Sequence, residues 1–103
     1  MPEMLDLQPP TDLTLQMSAA QNVLLRWRSP ANGEGLDRTE VWGASIFDSA
    51  GPRLLGVVTH IAEFGEAGVR IFVHLRHEAS PWVYRLRTEY TTGEKSVFVE
   101  IEG

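Results

Sequence analysis

The sequence predicts an all-β sandwich, with one core closed between antiparallel sheets. Three observations predict it. Apolar and polar residues alternate in several short runs, which sets one row of side chains on one face of a strand. Turn-forming residues such as Asn32-Gly33, Gly51-Pro52 and Thr92-Gly93 recur between those runs. No long segment keeps the 3.6-residue period of an amphipathic helix.

Residues 1–10 read as a linker, because Pro2, Pro9 and Pro10 favour extended chain and cannot donate to a strand ladder. The domain then occupies residues 11–103. Leu13 to Met17 is the first strand, with Leu13, Leu15 and Met17 on one face. Ser18 to Asn22 is a polar turn. Val23 to Arg28 is the second strand, with Val23, Leu25 and Trp27 on one face and a large aromatic near its end. The loop from Ser29 to Gly35 contains Asn32-Gly33, a pair that takes positive φ at low cost. Arg38 to Ile46 is the third strand, rich in β-formers at Thr39, Val41 and Trp42.

Asp48 to Pro52 turns the chain into a fourth strand, Leu54 to Thr59, which is almost continuously apolar. Ile61 to Phe64 fits a short edge strand or one helical turn. Val69 to Leu75 alternates cleanly, Val69, Ile71, Val73 and Leu75 against Arg70, Phe72, His74 and Arg76. After the turn Glu78 to Pro81, Trp82 to Tyr90 alternates again with Trp82, Tyr84, Leu86 and Tyr90 on one face. A tight turn at Thr91 to Glu94 leads to a last strand carrying Val97, Val99 and Ile101. The total is about seven strands at short spacing, the pattern of a sandwich. Trp27, Tyr84, Leu25 and Leu86 are the expected core.

Composition narrows the function. A chain of 103 residues suits one domain. It has no cysteine, so neither disulfides nor thiolate metal sites contribute. Arg26, Arg28, Arg85 and Arg87 come in pairs on strands, yet the net charge is −5. That balance argues against a nucleic-acid partner, since such modules carry a basic face. No apolar run approaches the roughly 20 residues of a membrane span. Residues Met1 to Gln8 have two acids, no Lys or Arg and no apolar stretch, which is not the pattern of a signal peptide.

No residue set calls for catalysis, a cofactor or a metal. His74 and His77 lie three apart, which on a strand points them to opposite faces, and His60 stands alone. These read as solvated surface histidines. Glu63, Glu66 and Glu78 lack the spacing of a calcium loop and read as a solvated acidic face. No Gly-x-Ser-x-Gly turn or Gly-x-Gly-x-x-Gly loop occurs. The contact surface expected instead comprises Trp42, Trp82, Asn32 and Thr92. Trp42 is out of phase with Val41 and so covers the outer face of its sheet. Trp82 begins a strand beside Pro81, where a tryptophan can serve as a protein hot spot.

The chain resembles a fibronectin type III domain over roughly Pro9 to Glu102. The likeness rests on Pro9-Pro10, on Leu25-Arg26-Trp27 with Pro30, and on Tyr84-Arg85-Leu86-Arg87-Thr88 leading to Gly93-Glu94-Lys95-Ser96. It implies a seven-stranded antiparallel immunoglobulin-like β-sandwich, with Trp27 and Tyr84 in the core. It also implies a tyrosine corner in which the Tyr84 hydroxyl meets backbone near Arg76 to Ser80. No Arg-Gly-Asp triplet is present to suggest integrin binding.

More narrowly, Thr39-Glu40-Val41-Trp42-Gly43-Ala44-Ser45 followed by Leu54-Leu55-Gly56-Val57-Val58 resembles the type III domains of bacteriophage tail-tip and host-specificity proteins. That resemblance implies a non-enzymatic connector or receptor-facing spacer in a virion tail. Its partners would be neighbouring domains of a larger chain, other tail proteins or a host surface receptor, with no nucleic acid and no membrane insertion. Two other roles fit the fold: a carbohydrate-binding or spacer module of a secreted bacterial enzyme, and a cell-surface adhesion module.

Overall fold

The computed structural model of the protein describes residues 8–18, 22–29, 36–47, 50–59, 69–75 and 81–103. They form seven strands: β1 Thr11–Met17, β2 Val23–Arg28, β3 Leu36–Ser45, β4 Arg53–Thr59, β5 Val69–His74, β6 Trp82–Tyr90 and β7 Val99–Glu102. Every pairing is antiparallel. One sheet has the order β1-β2-β5 and the other β4-β3-β6-β7. The two face each other across one core, a β-sandwich-like arrangement. The Ile61 to Phe64 segment and the Asn32-Gly33 loop fall outside the described residues.

Strand β2 supplies Val23, Leu25 and Trp27 to the core, β3 supplies Val41, and β6 supplies Trp82, Tyr84 and Leu86. Leu15, Leu55, Phe72 and Ile101 pack around them. Strict alternation in β2 and β6 produces this row. Leu25, Trp27, Tyr84 and Leu86 are all fully buried. Trp82 corrects its expected place on the contact surface. It is only 4% exposed, because it shares the phase of Tyr84 and Leu86 and stacks on the Tyr84 ring at 6.1 Å. The Arg53 guanidinium covers its ring at 5.5 Å.

Strand β1 begins at Thr11 and contains an irregularity. Thr11 pairs with Arg28 and Thr14 with Arg26, so an extra residue is accommodated between them. Asp12 takes it up with φ of 53°, a left-handed conformation that Asp tolerates better than most residues.

Strand β5 faces opposite to what its hydrophobicity suggests. Phe72 pairs with Leu25, Arg70 with Trp27 and His74 with Val23. Directly opposed residues share a sheet face. Phe72 and its neighbours therefore point inward, and the β-branched row points out, with Ile71 53% exposed. The inward ring of Phe72 reaches β4, where a Cβ on Gly56 would stand 2.7 Å from it. Only glycine leaves room for that approach. We expect Ile71→Thr to change stability by under about 0.5 kcal/mol, as surface changes do. Phe72→Ala should cost about 2–3 kcal/mol, below the usual full-burial range because Phe72 is half-buried. A urea series with the two costs reversed would put the β-branched row inside.

Inward-facing His74 also departs from the solvated surface histidine expected. Its ring lies 4.6 Å from Trp82, and Nδ1 is 2.9 Å from the Tyr84 hydroxyl. The tyrosine-corner backbone at 76–80 lies outside the described residues, as do His60 and His77.

Strand β6 anchors both ends of the described chain. Gln8 donates its backbone N–H to the Tyr90 hydroxyl at 3.0 Å, and that hydroxyl reaches the Gln8 carbonyl at 3.3 Å. At the other end, Trp82 and Gly103 exchange a pair of backbone hydrogen bonds, each 2.9 Å. Eight residue steps of strand, about 27 Å, separate these anchors.

Candidate functional site

The outer face of the four-stranded sheet is set by register. Trp42 pairs with Arg85 and Glu40 with Arg87, while Arg85 pairs with Glu100 across β7. Since Val41, Tyr84 and Leu86 point inward, these residues point outward. The turn between β6 and β7 adds Phe98. Gly93 makes that turn with φ of 89°. Beyond it, buried Ser96 accepts the Thr88 N–H at 2.9 Å and donates to the Val97 carbonyl at 2.8 Å. Phe98 then precedes inward-facing Val99 and lies on the outer face.

Trp42, Pro52, Arg85, Arg87 and Phe98 line a shallow cleft of about 280 Å³. Trp42 meets Phe98 edge to face, with ring centres 6.4 Å apart. The Arg87 guanidinium sits 4.5 Å from the Phe98 ring centre and 6.0 Å from that of Trp42. Both distances are within cation–π range.

Glu40 holds this arrangement from beneath. It is 6% exposed and accepts hydrogen bonds from Trp42 Nε1 at 2.8 Å and Arg87 Nε at 2.9 Å. Lys95 Nζ lies 3.1 Å from its other oxygen. Burial alone pushes the carboxyl pKa up. The hydrogen bonds from Trp42, Arg87 and Lys95 outweigh burial and hold it below the usual glutamate range. Its contribution to stability is therefore fully present above the ordinary glutamate range and is lost as pH falls through the lower folded value. We expect wild-type stability to fall across that acid window and Glu40→Gln to show a shallower fall. Identical slopes in urea melts at matched pH would contradict this.

Arg85 is held differently. Its Nε lies 3.2 Å from Glu100, close enough for an ion pair, but the approach is wrong for a hydrogen bond and the buried Nε has no hydrogen-bond partner. Among the described residues the cleft lining contains two guanidiniums, each beside a carboxylate: Arg87 on Glu40 and Arg85 on Glu100. Chemically, it is an aromatic ledge flanked by guanidiniums whose charge is already paired.

Of the contact residues expected from sequence, the structure places Trp42 in this cleft. Thr92 is exposed in the β6–β7 turn, where its hydroxyl accepts the Glu94 N–H at 3.3 Å. Asn32 lies outside the described residues. Sequence reasoning missed Phe98, Arg85 and Arg87 as members of this face. The alternation of β6 placed both arginines opposite the core row, which was the available signal. Among the described residues no cluster of three metal-ligating side chains occurs. Among them, too, no helix is long and apolar enough to cross a membrane.

No family model matches the chain, and no curated protein matches it. Among solved structures, the chain is similar to the pectate lyase Pel3 from Pectobacterium carotovorum, with a TM-score of 0.62 and 18% identity. The match covers 90% of this chain and 27% of that one, so the chain spans about a quarter of the lyase's length. At that identity the likeness shows the fold alone.

Proposed function

We propose that the chain is a non-enzymatic connector module of a larger polypeptide. In this reading it is a fibronectin type III-like domain of a phage or prophage tail, spacing a neighbour outward toward a receptor. One observation carries it: Gln8 is tied to Tyr90 and Gly103 to Trp82, at opposite ends of the same strand. Ties at the two ends of one strand are what a connector between two neighbours needs. The strand orders β1-β2-β5 and β4-β3-β6-β7 support the type III reading. The tail assignment rests on the Glu40-Val41-Trp42 and Leu55-Gly56-Val57 resemblance.

A second reading is a spacer in a secreted bacterial enzyme. It is favoured by a fold match confined to 27% of a pectate lyase chain. The full-length gene and its neighbours separate the two. Tail morphogenesis genes beside a longer open reading frame fit the tail module, and an adjoining catalytic domain fits the enzyme spacer. A reading frame limited to this domain, with no tail genes beside it, would overturn the connector role and leave a free-standing binding module. In either setting, we expect the isolated domain to lack hydrolase activity.

A further inference from the structure

We propose that the Tyr90 hydroxyl is a mechanical latch: it fixes the chain ahead of β1 and leads tension from that side into β6. This deepens the connector reading and rests on it. The argument starts from backbone donors. Pro9 and Pro10 have no N–H, so Gln8 carries the last backbone donor ahead of Thr11. The Tyr90 hydroxyl takes that N–H at 3.0 Å and reaches the Gln8 carbonyl at 3.3 Å. A phenol has one donor and two lone pairs, so this one side chain does for Gln8 what a neighbouring strand would do.

The two places where a pull can land differ in strength. Tyr90 is 6% exposed. Its own N–H donates to the Glu94 carbonyl at 2.9 Å, and its carbonyl accepts the Gly93 N–H at 2.8 Å. It ends β6, which pairs with β3 from Trp82 to Tyr90 and with β7 from Val83 to Leu86. At the far end of β6, Trp82 exchanges two backbone hydrogen bonds with Gly103. Strand β1 offers less. It lies at the edge of its sheet, and its ladder is interrupted between Thr11 and Thr14, where Asp12 holds φ of 53°. A bulged strand at an edge has fewer bonds to share a pull. With the latch closed, tension between Gln8 and Gly103 runs through β6 and spares the bulge. With it open, the same tension falls on Thr11 and the bulge.

The test is constant-load stretching of the whole chain. The protein has no cysteine, so two introduced thiols are the sole attachment points. One pair, ahead of Met1 and after Gly103, puts the latch under load. The other, Thr11→Cys with the same thiol after Gly103, bypasses it. That thiol follows Gly103 rather than replacing it, because a Cβ there would stand 2.6 Å from Leu15. In the first geometry Tyr90→Phe should shorten the folded lifetime at fixed load about tenfold, the factor for losing roughly 1.4 kcal/mol of hydrogen bonding. Gln8→Pro removes the N–H and leaves the carbonyl, so it should lose part of that factor. In the second geometry Tyr90→Phe should change the lifetime by less than about twofold. Without load, the Gln8 amide should exchange about tenfold faster in Tyr90→Phe than in the wild type.

Equal shortening in both geometries would overturn the latch, since Tyr90 would then act on stability alone. A full lifetime in the first geometry for either variant, or unchanged exchange at Gln8, would also overturn it. The connector role would stand after any of these results, because gene context tests it independently.

Discussion

Trp27→Ala should lower the unfolding free energy by roughly 3–5 kcal/mol, the range for deleting a large aromatic from a packed core. Trp27 is fully buried and belongs to the cluster that joins β2 to Val41 of β3 and to the inward row of β6. Removing it opens a cavity between both sheets. The margin of a domain this size is about 5–15 kcal/mol, so the variant would sit near the edge of folding at 37 °C. Trp27→Phe should cost less than half as much. It keeps a ring in place and removes an indole N–H that is buried without a hydrogen-bond partner. A urea melt showing a loss under about 1 kcal/mol for Trp27→Ala would sink this core assignment.

Glu40→Ala should be the most costly change on the outer face, at about 2–3 kcal/mol. Breaking a buried ion pair from one side typically costs about 3–5 kcal/mol, because the remaining charge is left uncompensated. Here the figure is lower because Lys95 is more than a third exposed and recovers water. Arg87 is less exposed and loses its main partner, and Trp42 Nε1 loses its acceptor. The double variant Glu40→Ala/Arg87→Met should be no less stable than Glu40→Ala alone, since it removes the stranded charge. A Glu40→Ala cost under about 0.5 kcal/mol would mean that water already serves this carboxylate.

Strands β2 and β6 were legible because alternation, β-branching and large aromatics agree there. The same agreement placed Trp27, Tyr84, Leu25 and Leu86. Strand β5 shows where this reasoning stops. Its β-branched row is the more apolar set, yet pairing with Val23, Leu25 and Trp27 turns Arg70, Phe72 and His74 inward. Register decides the face, and register is a tertiary fact. The place of Trp82 beside Pro81 suggests exposure, but strand phase overrides position.

The contact face was legible only through Trp42. Glu40 and Arg87 are 47 residues apart, and no local pattern announces that they will meet. Phe98 was hidden for a similar reason. Alternation starts the last strand at Val97, but hydrogen bonds at Ser96 delay β7 until Val99. That delay leaves Phe98 beside Arg87.

Two of the three tryptophans build the core, and Trp42 alone is left to the outside. This division separates a module that has a contact face from one that has spent its aromatics on folding. Acrylamide quenching of the native protein, compared with single Trp→Phe variants, measures it most directly. The quenchable emission should disappear in Trp42→Phe and persist in Trp82→Phe. Quenching that survives Trp42→Phe and vanishes in Trp82→Phe would contradict the inward phase of β6 and, with it, the assignment of the outer face.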